Sequence, residues 1–178
     1  MKYFNELKRS MEFLGSKSDT IFIGQAVSEP GTAMSNTLKD INKNKLFETP
    51  VFEEMQMGIS IGYALNGFIP ICIFPRWNFL LLASNQIINH LDKIQNFSND
   101  GFKPKVIIRT SIGSIRPLDP QSQHKGDYTD AFKKILTNIE ILKMNKPDSI
   151  FDAYQYAYER NDSKSTIIVE YGDYYNEK

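Results

Sequence analysis

The chain has 178 residues, with 21 Lys and Arg against 21 Asp and Glu, so its formal charge is zero. That length fits one domain able to bury about 70 % of its unfolded surface. The charge balance argues against a general nucleic-acid binder, which carries a basic excess. The single cysteine, Cys72, excludes a disulfide framework within the chain and fits a reducing, cytoplasmic setting. It lies in the apolar run IPICIF, where a buried structural thiol is expected. The N-terminus mixes charged and apolar residues without a signal-peptide core, and no apolar run reaches the roughly 20 residues that span a bilayer.

In chain order, Tyr3, Phe4, Leu7, Met11 and Leu14 recur at helical spacing over residues 2–14, and Gly15 is a plausible stop. Residues 20–25 form a short apolar run that reads as the first central strand. Residues 26–46 are polar and read as a loop with a short helix near 35–41. The stretch from Thr49 to Phe79 organises the rest. Glu53 opens a helix punctuated by Gly58, Gly62, Ala64 and closing Gly67. Each glycine costs a helix about 1 kcal/mol against alanine, so the pattern calls for close packing on something flat. Residues 69–74 read as a buried strand. A helix over 80–97 follows, with Leu82, Ile87, Ile88, Leu91 and Ile94 on its apolar side. Asn99-Asp100-Gly101 is turn chemistry. Residues 106–109 read as a strand, with Arg109 packing at its end, and 112–128 as a long polar loop of the kind that carries function. Helices over 130–136 and 147–160 alternate with strands over 139–144 and 166–171. Short apolar strands alternating with helices predict an α/β fold: a doubly wound, mostly parallel sheet covered on both faces.

The run Thr49-Pro50-Val51-Phe52-Glu53, followed by Gly58, Gly62, Gly67, Pro70 and Trp77-Asn78-Phe79, resembles the pyrimidine-binding domain of thiamine-diphosphate enzymes. The nearest likeness is to 2-oxoacid dehydrogenase beta subunits and transketolases. It extends through Asn85-Gln86-Ile87-Ile88-Asn89 to Arg109 and Gln123-His124, covering about residues 20–172. On this reading the whole chain, 1–178, is one pyrimidine-binding domain. Residues 1–18 are an N-terminal helical extension, residues 19–172 the core, and there is no C-terminal transketolase-type domain.

The resemblance implies roles for particular residues. It makes Glu53 the carboxyl that hydrogen-bonds N1′ of the cofactor pyrimidine. That contact promotes the tautomer whose 4′-amino group can take the thiazolium C2 proton. Read locally, Glu53 is only a helix-start acid favoured by the macrodipole. Phe79 falls where the family places a ring on the aminopyrimidine, with Trp77 and Leu82 completing the cofactor contacts; plain core or interface packing is the alternative. His124, in PQSQHKGDY, matches an active-site histidine of the beta subunits, although Lys125 stands where they have serine. It is a second catalytic candidate and a substrate contact, or else a solvated loop histidine. Arg116 in the same loop is a candidate for an anionic substrate group, or another solvated residue.

No Gly-Asp-Gly motif is present: Gly126-Asp127 and Gly172-Asp173 are both followed by tyrosine. The chain's own metal ligands are therefore expected to be none. Thiamine diphosphate and Mg²⁺ are expected to be held with a diphosphate-binding partner subunit, in a hetro-oligomer with two of each chain. The substrate is then a 2-oxo acid or ketose, decarboxylated or split for two-carbon transfer; nucleic acid and membranes are not expected partners. The alternative is a non-catalytic interaction or regulatory module of the same fold.

Overall fold

The computed structural model describes residues 2–29, 32–115 and 119–176. Their organising feature is a six-stranded sheet in the order β2-β1-β3-β4-β6-β5, with every pairing parallel. The strands are β1 (Thr20–Gly24), β2 (Leu46–Glu48), β3 (Ile69–Ile73), β4 (Ile107–Ile112), β5 (Glu140–Lys143) and β6 (Thr166–Tyr171). Their central members are buried on both faces, which is why they read as near-continuous apolar runs. The edge strand β2 is the exception. Leu46, Phe47 and Glu48 lie against Phe22, Ile23 and Gly24, and the polar surroundings of this three-residue strand hid it in the sequence. β4 also runs further than its apolar segment, through Thr110 and Ser111 to Ile112.

Side chains alternate across the sheet with period two. Phe22, Ile71, Ile73, Ile107 and Ile168 face one helical layer, formed by α1 (Tyr3–Gly15) and α6 (Ile150–Glu159). Cys72, Ile108, Ile141, Ile167 and Val169 face the other. That second layer contains α2 (Glu53–Leu65), α5 (Thr129–Ile135) and the helical segment that starts with α3 (Trp77–Leu80). Helix α1 belongs fully to the core: Tyr3, Leu7, Met11 and Leu14 are buried against α6 and the sheet. Gly67, at φ +89°, lets the chain turn out of α2 into β3.

The expected single helix over 80–97 is broken into pieces. After α3 come a 3₁₀ turn at Leu81–Ala83, a π-helical turn at Gln86–Leu91, and α4 (Ile94–Phe97). The changed winding shifts the phase of the apolar stripe. Ile87 and Leu91 are buried, whereas Leu82 is 61 % exposed rather than on the inward side.

Arg109 does not sit at a strand end. It lies inside β4, fully buried, with Nε and Nη2 donating to the Glu170 carboxylate at 2.7 and 3.0 Å. Its Nη1 donates to Thr37 Oγ1 at 2.8 Å. The Tyr154 and Tyr175 hydroxyls also donate to Glu170. Burial and the Glu170 charge hold both phenols well above the usual tyrosine range. This network ties α6, the segment around Thr37 and the chain after β6 to the middle of the sheet.

Candidate active site

The connections leave β1 and β3 in opposite directions: β1 leads to the β2 edge, and β3 leads toward β4. A crevice outside the carboxyl ends of such a strand pair is the favoured ligand position in parallel α/β sheets. A cleft of about 420 Å³ lies there, lined by residues at or just beyond the ends of β1, β3, β4 and β6, among them Gln25, Arg76, Phe79, Ser111 and Tyr175. A Cβ on Gly24 would meet Ile73 O at 2.6 Å, so the absent side chain lets the two strand ends approach at the cleft floor.

The loops around the cleft are fixed by polar contacts. After β1, the N–H groups of Ala26, Val27 and Ser28 donate to the Glu48 carboxylate at 2.5, 2.9 and 2.9 Å. Partial burial would raise the Glu48 pKa, but these donors outweigh it and hold the carboxyl below its usual range. After β3, Arg76 Nη1 donates to Gly113 O at 2.9 Å and to His124 O at 3.0 Å, pinning the long loop at both ends. Ser111 Oγ donates to Pro75 O at 2.7 Å. Asn78 accepts from the Gly126 N–H at 3.3 Å and donates to Tyr128 OH at 3.1 Å.

Glu53, in the first turn of α2, is 4 % exposed. Its Oε1 accepts from Gln25 Nε2 at 3.2 Å. Its Oε2 accepts from no group among the described residues, so this buried carboxyl keeps a free acceptor. Gln25 in turn lines the cleft, which links Glu53 to its wall. Below Glu53, Gln56 anchors the helix to the sheet through Nε2 to Ile73 O at 2.8 Å. Val51 and Phe52, just before the helix, are exposed. Gly58 and Gly62 point outward, with nothing within 4 Å of a Cβ placed on either.

The residues singled out from sequence separate into groups. Phe79 and His124 come together, with ring centroids 5.0 Å apart and planes tilted by 52°. His124 Nδ1 is buried without a hydrogen-bond partner among the described residues. Trp77 is fully buried against Phe132, at 4.9 Å between centroids, and does not line the cleft. Leu82 faces outward and is no part of the cleft lining. Arg116 lies outside the described residues. Cys72 is buried, and burial raises its pKa to about 11, as befits a structural thiol.

The chain and its fold have counterparts among known proteins. The family model for the transketolase pyrimidine-binding domain matches residues 3–176. The chain belongs to that family. The domain is 27 % identical over 140 residues to a pyruvate dehydrogenase E1 component subunit beta of Gracilaria tenuistipitata var. liui, covering 76 % of the chain and 42 % of the relative. It is 32 % identical over 128 residues to the same subunit of Cyanidium caldarium, covering 70 % and 38 %. Against the 2-oxoisovalerate dehydrogenase subunit beta of Bacillus subtilis (strain 168), identity is 25 % over 158 residues, covering 86 % and 46 %. The pyrimidine-binding domain thus spans less than half the length of these relatives. In fold it is similar to a split-gene transketolase described as an inactive beta4 tetramer. There the TM-score is 0.72 at 16 % identity, over 94 % of this chain and 50 % of that one.

Two cleft residues escaped the sequence reading. Gln25 was visible only as the residue ending a strand, and its partner lies 28 positions away. Arg76 sits inside the aromatic cluster Phe74–Phe79. Its contacts to residues 113 and 124 are set by the tertiary fold, and no local spacing announces them.

Proposed function

We propose that this pyrimidine-binding domain is the pyrimidine-holding part of a thiamine-diphosphate-dependent enzyme acting on a 2-oxo acid or ketose, assembled with a diphosphate-binding partner chain that brings Mg²⁺. The observation that carries this reading is the Glu53 carboxyl: buried at a helix start, held on one oxygen by Gln25, and free on the other. Such a group fits the aminopyrimidine end of the cofactor, because a poorly solvated carboxyl readily shares a proton with a ring nitrogen. When bound, thiamine diphosphate supplies an acidic thiazolium carbon and an electron sink.

In this reading each residue of the chain has a defined task. Glu53 Oε2 holds a proton against the pyrimidine N1′, while Gln25 keeps the carboxyl in place. Phe79 offers its ring to the face of the aminopyrimidine. His124, leaning on Phe79, directs the unsatisfied Nδ1 toward a substrate oxygen and can give or take a proton there. Trp77 stays in the core and contributes only stiffness, and Leu82 is left to a surface contact. The outward face of α2, with open positions at Gly58 and Gly62 and exposed Val51 and Phe52 before it, is where the partner chain packs.

The test reconstitutes the chain with a partner carrying a Gly-Asp-Gly motif, Mg²⁺ and thiamine diphosphate. The chain alone is expected to be inactive, in keeping with the inactive beta4 assembly described for the split-gene transketolase. The mixture is expected to turn over. Glu53→Gln should lower turnover about 10²-fold or more while leaving assembly intact. Retained activity in that variant contradicts the role given to Glu53. A complex that binds no thiamine diphosphate by calorimetry favours the non-catalytic interaction module instead.

A further inference from the structure

Arg76 reaches the cleft with much of its guanidinium unused. Nη1 spans the carbonyl oxygens of Gly113 and His124, while Nε and Nη2 donate to no group among the described residues. The nearby carboxylates are engaged elsewhere: Asp173 Oδ1 accepts the Ile115 N–H at 2.8 Å, and Asp119 pairs with Lys125 at 2.9 Å. Partial burial pulls the Arg76 pKa below its usual value, and Asp173 and Asp119 push it back; a guanidinium stays charged throughout. Arg76 is the one charged side chain among the described residues that line the cleft. The Ser111 hydroxyl donates to Pro75 O, and the Tyr175 hydroxyl to Glu170. The cleft therefore presents a single fixed positive charge whose free edge is a two-pronged donor.

We propose that Arg76 is the substrate-anion residue of this cleft, receiving the carboxylate or phosphate of the substrate on its Nε–Nη2 edge. This rests on reading the cleft as the substrate site. The free edge is planar and side-on, the shape that matches a carboxylate with two parallel hydrogen bonds. The same guanidinium grips the His124 carbonyl, so anion binding and the placement of the His124 ring are mechanically joined. A bound carboxylate would lie in the same cleft as Phe79, beside the histidine that the proposed chemistry employs.

Ligand-observed NMR on the full chain and on the reconstituted complex tests this, with pyruvate, methyl pyruvate and inorganic phosphate as probes. Pyruvate should bind the wild type, and methyl pyruvate, which lacks the charge, should bind weakly or not at all. Arg76→Ala should weaken pyruvate about tenfold or more. Arg76→Lys, which keeps the charge and can still reach a loop carbonyl, should lose less and retain the fold if the alanine variant does not. Phosphate bound in preference to pyruvate, with the same loss in the Arg76 variants, keeps the site and assigns it to a phosphorylated sugar. The proposal is overturned if folded Arg76 variants bind both anions like the wild type. It is equally overturned if Arg116→Ala alone removes binding, or if neither anion binds the chain or the complex. Calorimetry of thiamine diphosphate on the same complexes reads the functional assignment separately, because cofactor binding without anion binding sinks only the Arg76 role.

Discussion

Introducing alanine at both Gly58 and Gly62 separates what α2 needs for folding from what it needs for assembly. Both glycines lie inside a regular helix and face open space, so a methyl group at either meets no atom of this chain. Folding alone should then favour alanine by about 1 kcal/mol at each position, since glycine loses more backbone freedom on entering a helix. The double variant should gain about 2 kcal/mol, which for a domain of this size raises the melting temperature by about 4–8 °C. If the partner chain packs closely on this face, the same two methyl groups stand in its way. Thermal unfolding of the isolated chain, together with light scattering of the chain mixed with its partner, reads both effects. The expected result is a more stable chain that assembles poorly. A less stable chain would show that the glycines serve an internal contact. A more stable chain that assembles like the wild type would show that the partner does not cover α2.

Further outcomes follow from the buried polar and sulfur groups. Arg109→Met leaves the Glu170 carboxylate buried without its cation, and should cost about 3–5 kcal/mol in urea unfolding followed through Trp77 fluorescence. Replacing Glu170 by leucine as well should recover part of that loss, whereas a cost below about 1 kcal/mol for Arg109→Met would show that the pair is dispensable. Burial raises the Cys72 pKa to about 11, so the folded chain should resist thiol reagents at neutral pH and react only after unfolding. Because only the unfolded thiol releases its proton near its ordinary value of 9.0, Cys72 should also contribute a fall in stability as pH rises from there toward about 11, absent in Cys72→Ala.

The alternation of apolar strands with helices was legible because each interior strand is covered on both sides and so carries its own signal. Ile69–Ile73 and Thr166–Tyr171 need no partner to be recognised. β2 had no such signal: its three residues become a strand because β1 offers an unpaired edge beside them. The breaks in the expected helix, a 3₁₀ turn at Leu81–Ala83 and a π-helical turn at Gln86–Leu91, are likewise tertiary outcomes: Leu82 in the first is exposed, while Ile87 and Leu91 in the second are buried. Trp77 and Phe79 show the limit at the site itself. Two aromatic residues, two positions apart, are equivalent by composition, yet one is sealed against Phe132 and the other lines the cleft and packs on the His124 ring.

The cleft's polar groups were the least legible part because their pairings are long-range and depend on which strand ends become neighbours. Gln25 and Glu53 are 28 positions apart, and Arg76 reaches carbonyls 37 and 48 positions away. What brings them together is the parallel sheet, which delivers the chain leaving β1, β3, β4 and β6 to a common edge. The buried Arg109–Glu170 pair stiffens that edge from below. Thr37 and Tyr175 both attach to it, so the segments carrying Met34 and Tyr175 are bound to one buried anchor. On the roles proposed above, such an anchor suits a site that must hold one carboxyl, one imidazole and one guanidinium in fixed relation, since each group acts only at hydrogen-bond range.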